Sequence, residues 1–193
     1  MRRTFLKLLL AIGLAGALPA VAQEADNVLV ITVEGEANGT IEIELLPDLA
    51  PQHAERLKEL ARSGAYDGVA FHRVIPGFMA QTGDVQYGTR EAFSDGRAGF
   101  GGSELPNLPA EFSSEPYVQG VVGMARAQDP NSANSQFFIM FNEAEFLNGQ
   151  YTVVGRVLQG MDVVNSIKKG TQAGNGAVDQ PDYMSTVRVK SDL

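Results

Sequence analysis

Residues 71–84 read Phe71-His72-Arg73-Val74-Ile75-Pro76-Gly77-Phe78-Met79-Ala80-Gln81-Thr82-Gly83-Asp84. The run divides into two short strands, 71–74 and 78–82, with Pro76-Gly77 between them. Proline presets φ at the first central position of a tight turn, and glycine tolerates the positive φ of the second. In the resulting hairpin Arg73 and Gln81 face the same way, beside Phe78 and Met79. A guanidinium against an apolar shelf has two readings. The plain one is an arginine with its stem packed and its head in water. The other is a charge aimed into an apolar site. The hairpin alone leaves both open.

Further along, Gly120, Met124 and Ala125 are spaced as Gly-x-x-x-Met-Ala, and Asn134-Ser135-Gln136-Phe137-Phe138-Ile139 follows after a loop. Leu147, Gly149, Val153, Gly155 and Val157 then form Leu-x-Gly-x-x-x-Val-x-Gly-x-Val. Together with residues 71–84, and in this order, these runs resemble the cyclophilin family of peptidyl-prolyl cis-trans isomerases. The resemblance spans most of residues 27–190 and is carried by long runs, so it is far more specific than a lone glycine motif.

Residues 28–33 and 40–45 are rich in β-branched side chains and flank Asn38-Gly39, a strong hairpin signal. Ile41, Ile43 and Leu45 alternate with Glu42 and Glu44, giving one buried and one wet face. Pro51 opens a helical run over 51–63 with Ala54, Leu57, Leu60 and Ala61 on one face, and Gly64 stands where a C-cap glycine belongs. Residues 88–102 are glycine-rich and read as loop. Gly99-Phe100-Gly101-Gly102 lacks the Lys-Ser/Thr of a phosphate cradle, so a nucleotide site is rejected. Strands are predicted at 120–126, 135–140, 151–157 and 186–190, and a short helix at 161–168. Many short strands with few helices mean a closed antiparallel barrel or a sandwich. The resemblance chooses between them. It implies a mainly β domain, a closed eight-stranded antiparallel β-barrel capped by two α-helices.

The 193 residues, 44% hydrophobic and 20% charged, have the size and composition of one soluble globular domain. The first 22 residues stand apart. Arg2, Arg3 and Lys7 precede or enter an apolar run over 8–18, and Ala20-Val21-Ala22 offers small residues for cleavage. These are the parts of a secretory signal peptide, and the apolar run is short for a bilayer span. Residues 1–22 are therefore expected to be a cleaved signal peptide and 23–193 the isomerase domain, exported to the periplasm. Arg2-Arg3 also suits the twin-arginine route, while the apolar 8–12 favours the general secretory one. With no cysteine there is neither a disulfide nor a lipid-bearing thiol. Without Arg2, Arg3 and Lys7, 12 basic residues face 23 acidic ones, a net charge of about −11. That disfavours nucleic acid and anionic membranes as partners. The mature chain is expected to be a monomer.

Little here supports nucleophilic or metal chemistry. There is no cysteine and no Gly-x-Ser-x-Gly, and the 2 histidines, His53 and His72, are too few for a metal centre. His53 is expected on the surface of the first helix, and His72 on the far side of its strand from Arg73. No cofactor is expected. Rotation about an X–Pro bond needs none of these groups. Its barrier, about 20 kcal/mol, is amide resonance, and in the twisted transition state the proline nitrogen regains a lone pair. A donor aimed at that nitrogen favours the twisted form over both planar ones. Arg73 is the candidate, with a fixed charge and a planar fork of donors.

The resemblance extends this to a site. It implies a proline pocket of Phe78, Met79, Phe138 and Leu147, with Phe146 at its rim. Gln81 would orient Arg73 and bind the peptide, and Ala125 and Arg126 would offer backbone to the residues before proline. Gln136 and Ala127 would lie in the neighbouring subsite. Phe137 and Phe138 must point to opposite faces, so one is core and the other pocket. The chain departs from many family members at three places. Phe146 stands for Trp, Tyr151 for a His beside the pocket, and Arg126 for Asn. The implied partners are proline-containing polypeptides, with cyclosporin bound more weakly than by members carrying Trp. A non-catalytic proline-peptide module on the same fold is the alternative.

Overall fold

The structure, a computed structural model, describes residues 24–171 and 173–193; the signal peptide expected at 1–22 lies outside them. Its strands are β1 Val28–Glu34, β2 Gly39–Leu45, β3 Val69–Ala70, β4 Arg73–Ile75, β5 Met79–Thr82, β6 Val121–Met124, β7 Phe137–Met140, β8 Val153–Gln159 and β9 Tyr183–Val189. Helix α1 spans Pro51–Arg62 and α2 spans Met161–Ser166. Single 3-10 turns lie at Phe93–Asp95, Glu145–Leu147 and Lys190–Asp192.

All nine strands join one sheet in the order β3-β9-β1-β2-β8-β6-β7-β5-β4. Its pairings are antiparallel throughout. This corrects the expected closed eight-stranded barrel. The ladder has two ends, β3 and β4, and makes an open half-barrel of nine strands. The physical reason lies at Phe71 and His72, which leave the ladder between β3 and β4. There the Phe71 N–H donates to Asp182 O, and His72 O accepts from Val178 N–H. One extended run is thereby split into two short strands, each at an opposite end of the sheet. The helix count also changes. Residues 24–26 form a helical turn that adds a third helix to the two expected.

Alternation along the central strands creates two apolar compartments. Val74, Ala80, Val122, Phe137 and Ile139 enter the large interior core. Met79, Phe138, Met140, Leu147 and Val153 form a second cluster with Tyr117. Phe137 and Phe138 thus separate as the period of a strand demands. The Pro76-Gly77 turn forms as read, with Gly77 at φ 73 and the Phe78 N–H donating to Ile75 O at 3.1 Å. The β1–β2 hairpin forms too, but Gly39 already pairs with Val33, so the loop is longer than a two-residue Asn-Gly turn.

Helix α1 starts with Pro51 and has no side-chain N-cap of its own. Glu111, far along the chain, takes that role. Its carboxylate accepts the backbone N–H groups of Gln52 and His53, each at 3.2 Å, and lies 2.6 Å from His53 Nδ1. His53 is therefore fully buried, which corrects the surface placement. Burial pushes its pKa down, and Glu111 opposes this only in part. The pair is a neutral imidazole donating to a carboxylate that also caps the helix.

Candidate active site

Strand register lines up one row across four strands. Arg73 on β4 pairs with Gln81 on β5, Gln81 with Phe138 on β7, and Phe138 with Gly123 on β6. The polar half of the row is tied together. Arg73 Nη1 donates to Gln81 Oε1 at 3.1 Å, and Gln81 Nε2 donates to Gln136 Oε1 at 2.9 Å. Gln136 Nε2 then donates to Gly99 O and Gly101 O at 3.0 and 2.8 Å. Each amide in this chain accepts on one side and donates on the other, which sets its orientation. The other edge of the guanidinium is also held. Arg73 Nε donates to Asn175 O and Nη2 to Asn175 Oδ1, both at 3.1 Å. Burial pushes the Arg73 pKa down, but a guanidinium starts so high that it stays charged.

The apolar half is a packed wall. Met79, Phe138 and Leu147 are buried, with Phe78, Ala125 and Tyr151 packed against them. Phe146, 70% exposed, leans on Phe78 at a ring separation of 5.6 Å. Beneath Phe138 lies Tyr117, stacked at 5.8 Å and fully buried, where desolvation pushes its hydroxyl pKa up. Gly123 makes the room: a Cβ there would overlap both rings. Tyr151 meets Phe138 edge-on at 5.9 Å, and the Arg126 guanidinium lies 4.4 Å above the Tyr151 ring centroid. Arg126 also donates from Nη1 to Ala127 O and Gln128 O, at 2.9 and 3.3 Å, and from Nη2 to Gln150 O at 2.9 Å.

Beside Gln81 a groove of about 550 Å³ runs between the glycine-rich loop and residues 125–127. Gly99, Phe100 and Gly101 form one wall, and Ala125, Arg126 and Ala127 the other. The loop is held by Asp84, which is buried and accepts four backbone N–H groups, from Gln86, Tyr87, Gly99 and Gly101. Gly101 has to be glycine here, since a Cβ would strike Asp84 Oδ1. His72, just before β4, packs near Gly99, and burial pushes its pKa down to about 4.

The residues singled out from the sequence thus converge on one face. Arg73, Gln81 and Gln136 form its polar line; Phe78, Met79, Phe138, Phe146, Leu147 and Tyr151 its apolar wall; Ala125, Arg126 and Ala127 the far side of the groove. Three contributors went unread: Asn175, Tyr117, and the carbonyls of Gly99 and Gly101. Asn175-Gly176 carries a turn signal, but a turn signal says nothing of what the turn faces.

Known proteins resemble this chain closely. The sequence model of the family described as "Cyclophilin type peptidyl-prolyl cis-trans isomerase/CLD" matches residues 28–189. A protein of Brucella suis biovar 1 (strain 1330) described as "Probable peptidyl-prolyl cis-trans isomerase" is 55% identical over 183 residues, 94% of this chain and 92% of that protein. The Brucella abortus (strain 2308) counterpart is 54% identical over the same shares. Among solved structures, a cyclophilin of Hirschia baltica superposes with a TM-score of 0.72 at 29% identity, covering 88% of this chain and 76% of that one. A Cryptosporidium parvum cyclophilin type isomerase, crystallised in the presence of the dipeptide Ala-Pro, gives 0.69 at 24% identity, covering 84% and 98%.

Proposed function

We propose, from the premise that this chain belongs to the cyclophilin-type peptidyl-prolyl cis-trans isomerases, that it turns X–Pro bonds in unfolded or partly folded polypeptides by aiming Arg73 at the twisted imide. The observation that carries this is the pose of Arg73. Its guanidinium is held by Gln81 and Asn175 at the mouth of an apolar wall made by Met79, Phe138 and Leu147. The proline ring sits against that wall while the preceding carbonyl rotates. Of the five guanidinium N–H groups, three are taken by Gln81 and Asn175, and the Nη N–H groups left over reach the proline nitrogen. The Ala-Pro dipeptide of the Cryptosporidium parvum protein is consistent with a proline-containing substrate.

Magnitudes decide how the work is shared. A charge-assisted hydrogen bond contributes about 1.5–3 kcal/mol. An acceleration of about 10⁴–10⁶ needs roughly 5–8 kcal/mol. Arg73 therefore supplies a part, and the wall that anchors the ring while its amide twists supplies the rest. Gln81 and the groove carry the residues before proline, with Ala125, Arg126, Ala127 and Gln136 as its contacts. Without Arg73 the same pocket is a proline-peptide module, which is the second reading. Exchange NMR on an Ala-Pro peptide separates the two: turnover must collapse in Arg73→Ala and return little in Arg73→Lys. Wild-type turnover in Arg73→Ala refutes the assigned role.

The setting belongs to the same proposal. Residues 1–22 direct the chain out of the cytoplasm and are removed, leaving a periplasmic monomer that starts at or near Gln23. Intact mass from a periplasmic fraction checks this, and a membrane-held chain retaining Met1 overturns it.

A further inference from the structure

Between α2 and β9 the chain returns along the outer edge of β4. Gly170 N–H donates to Val74 O at 2.9 Å, Val74 N–H to Gly176 O at 2.7 Å, and Ala177 bridges Arg73 in antiparallel fashion. An edge strand that would otherwise expose its backbone is covered. The turn itself is tight. Gly176 N–H donates to Thr171 O at 2.9 Å, Ala177 N–H to Gly174 O at 3.0 Å, and Gly174 N–H to Thr171 Oγ1 at 3.1 Å. Asn175 stands within it at φ 51, the one non-glycine residue with positive φ among the described residues. Asparagine enters this region more readily than most side chains, yet such backbone persists only where its surroundings hold it.

That conformation delivers both Asn175 oxygens to one edge of Arg73, the main-chain O to Nε and Oδ1 to Nη2. We infer that Asn175 is a positioning residue for Arg73, locking the plane of the guanidinium so that its remaining Nη donors face the proline pocket. The inference rests on the proposed role of Arg73. Two acceptors on one edge, with Gln81 on Nη1, remove both the swing and the roll of a long flexible side chain before substrate arrives. Freedom lost beforehand is not lost again in the transition state. Neutral oxygens also matter. A carboxylate would hold the same edge but pair with the cation, drawing its field away from the proline nitrogen.

The test compares full-length protein carrying Asn175→Gly, Asn175→Asp, Arg73→Ala, and Asn175→Gly with Arg73→Ala. Asn175→Gly keeps the positive φ and the main-chain acceptor but deletes Oδ1. It should lower kcat roughly 2- to 12-fold, the range of one hydrogen bond, with KM and the thermal midpoint unchanged. The Arg73 Nη2–H groups, whose acceptor is the one deleted, should exchange faster with water in its NMR spectrum while Nε–H, still bound to the main-chain O, changes less. The double variant should be no slower than Arg73→Ala alone. Asn175→Asp should be slow at neutral pH and regain activity only on acidification beyond the ordinary carboxylate range, because the Arg73 guanidinium would hold the new carboxyl ionised. Wild-type kcat in Asn175→Gly, or a loss that persists when Arg73 is already alanine, overturns the inference while leaving the role of Arg73 standing. Full turnover in Arg73→Ala instead sinks that underlying role, and the two failures are read from different variants.

Discussion

Two arginines border the apolar wall, and their surroundings hold them in different ways. Arg73 is gripped on one edge by Asn175 and at Nη1 by Gln81, partners that leave donors over on its Nη atoms. Arg126 lies flat on the Tyr151 ring and commits its Nη groups to the carbonyls of Ala127, Gln128 and Gln150. On the proposed mechanism, the first guanidinium is held so that it can act on something else. The other is a fastener, tying the groove wall to the loop at 150 and pinning Tyr151 against Phe138. Each guanidinium makes three hydrogen bonds within the fold; what separates them is that the face of Arg126 is spent on the Tyr151 ring.

The contrast breaks first at Arg73. Arg73→Ala should cost roughly 10- to 150-fold in kcat/KM, the worth of a charge-assisted bond, without unfolding the protein. Arg73→Lys should restore little, because an ammonium cannot reproduce the planar fork. A peptide exchange assay that finds either variant at wild-type rates removes the distinction between the two arginines.

Cyclosporin affinity sharpens it next. Phe146 is an exposed, flat, apolar rim with no donor, so the drug is expected to bind weakly. Phe146→Trp adds an indole N–H and should tighten binding about 10-fold, read by titrating the drug against activity. Unchanged inhibition would move the cause to the Arg126–Tyr151 clamp.

Arg126→Leu should act more gently, raising KM by about 3-fold while kcat holds and the thermal midpoint falls. Its loss frees Tyr151 and three carbonyls rather than any reacting contact. A drop confined to kcat would instead make Arg126 a second reagent.

The smallest effect lies at His72. The folded pKa of His72 is depressed to about 4, so the native state binds fewer protons than the unfolded chain between about pH 6.5 and 4. Its stability contribution is complete above pH 6.5 and is lost as pH falls towards 4. Roughly 1 kcal/mol should be gone by about pH 5.5, with His53 adding in the same direction. Urea midpoints at the two pH values check this, since His72→Phe should flatten the slope. An identical slope in that variant would place the titration elsewhere.

Much of the wall was readable because its signals are local. Alternation put Phe137 and Phe138 on opposite faces, the family resemblance named Phe138 as the one on the wall, and Pro76-Gly77 announced the turn that sets Arg73 opposite Gln81. Closure was not readable. Whether β3 and β4 form one strand or two depends on where Phe71 and His72 turn their backbone, namely to Asp182 and Val178, residues no local pattern points to.

By itself, the sequence determined eight of the nine strands, the opposite faces of Phe137 and Phe138, and the family, because each is a short-range periodicity or an unbroken motif; the two-residue β3 is too short to show one. The tertiary structure alone decided which polar groups meet. Glu111 buries His53 from 58 positions away, and Asn175 reaches Arg73 across 102. Hydrophobic pattern is written in spacing along the chain, since any apolar face finds burial somewhere. A hydrogen bond needs one specific partner at about 3 Å, and only the folded chain brings that partner near.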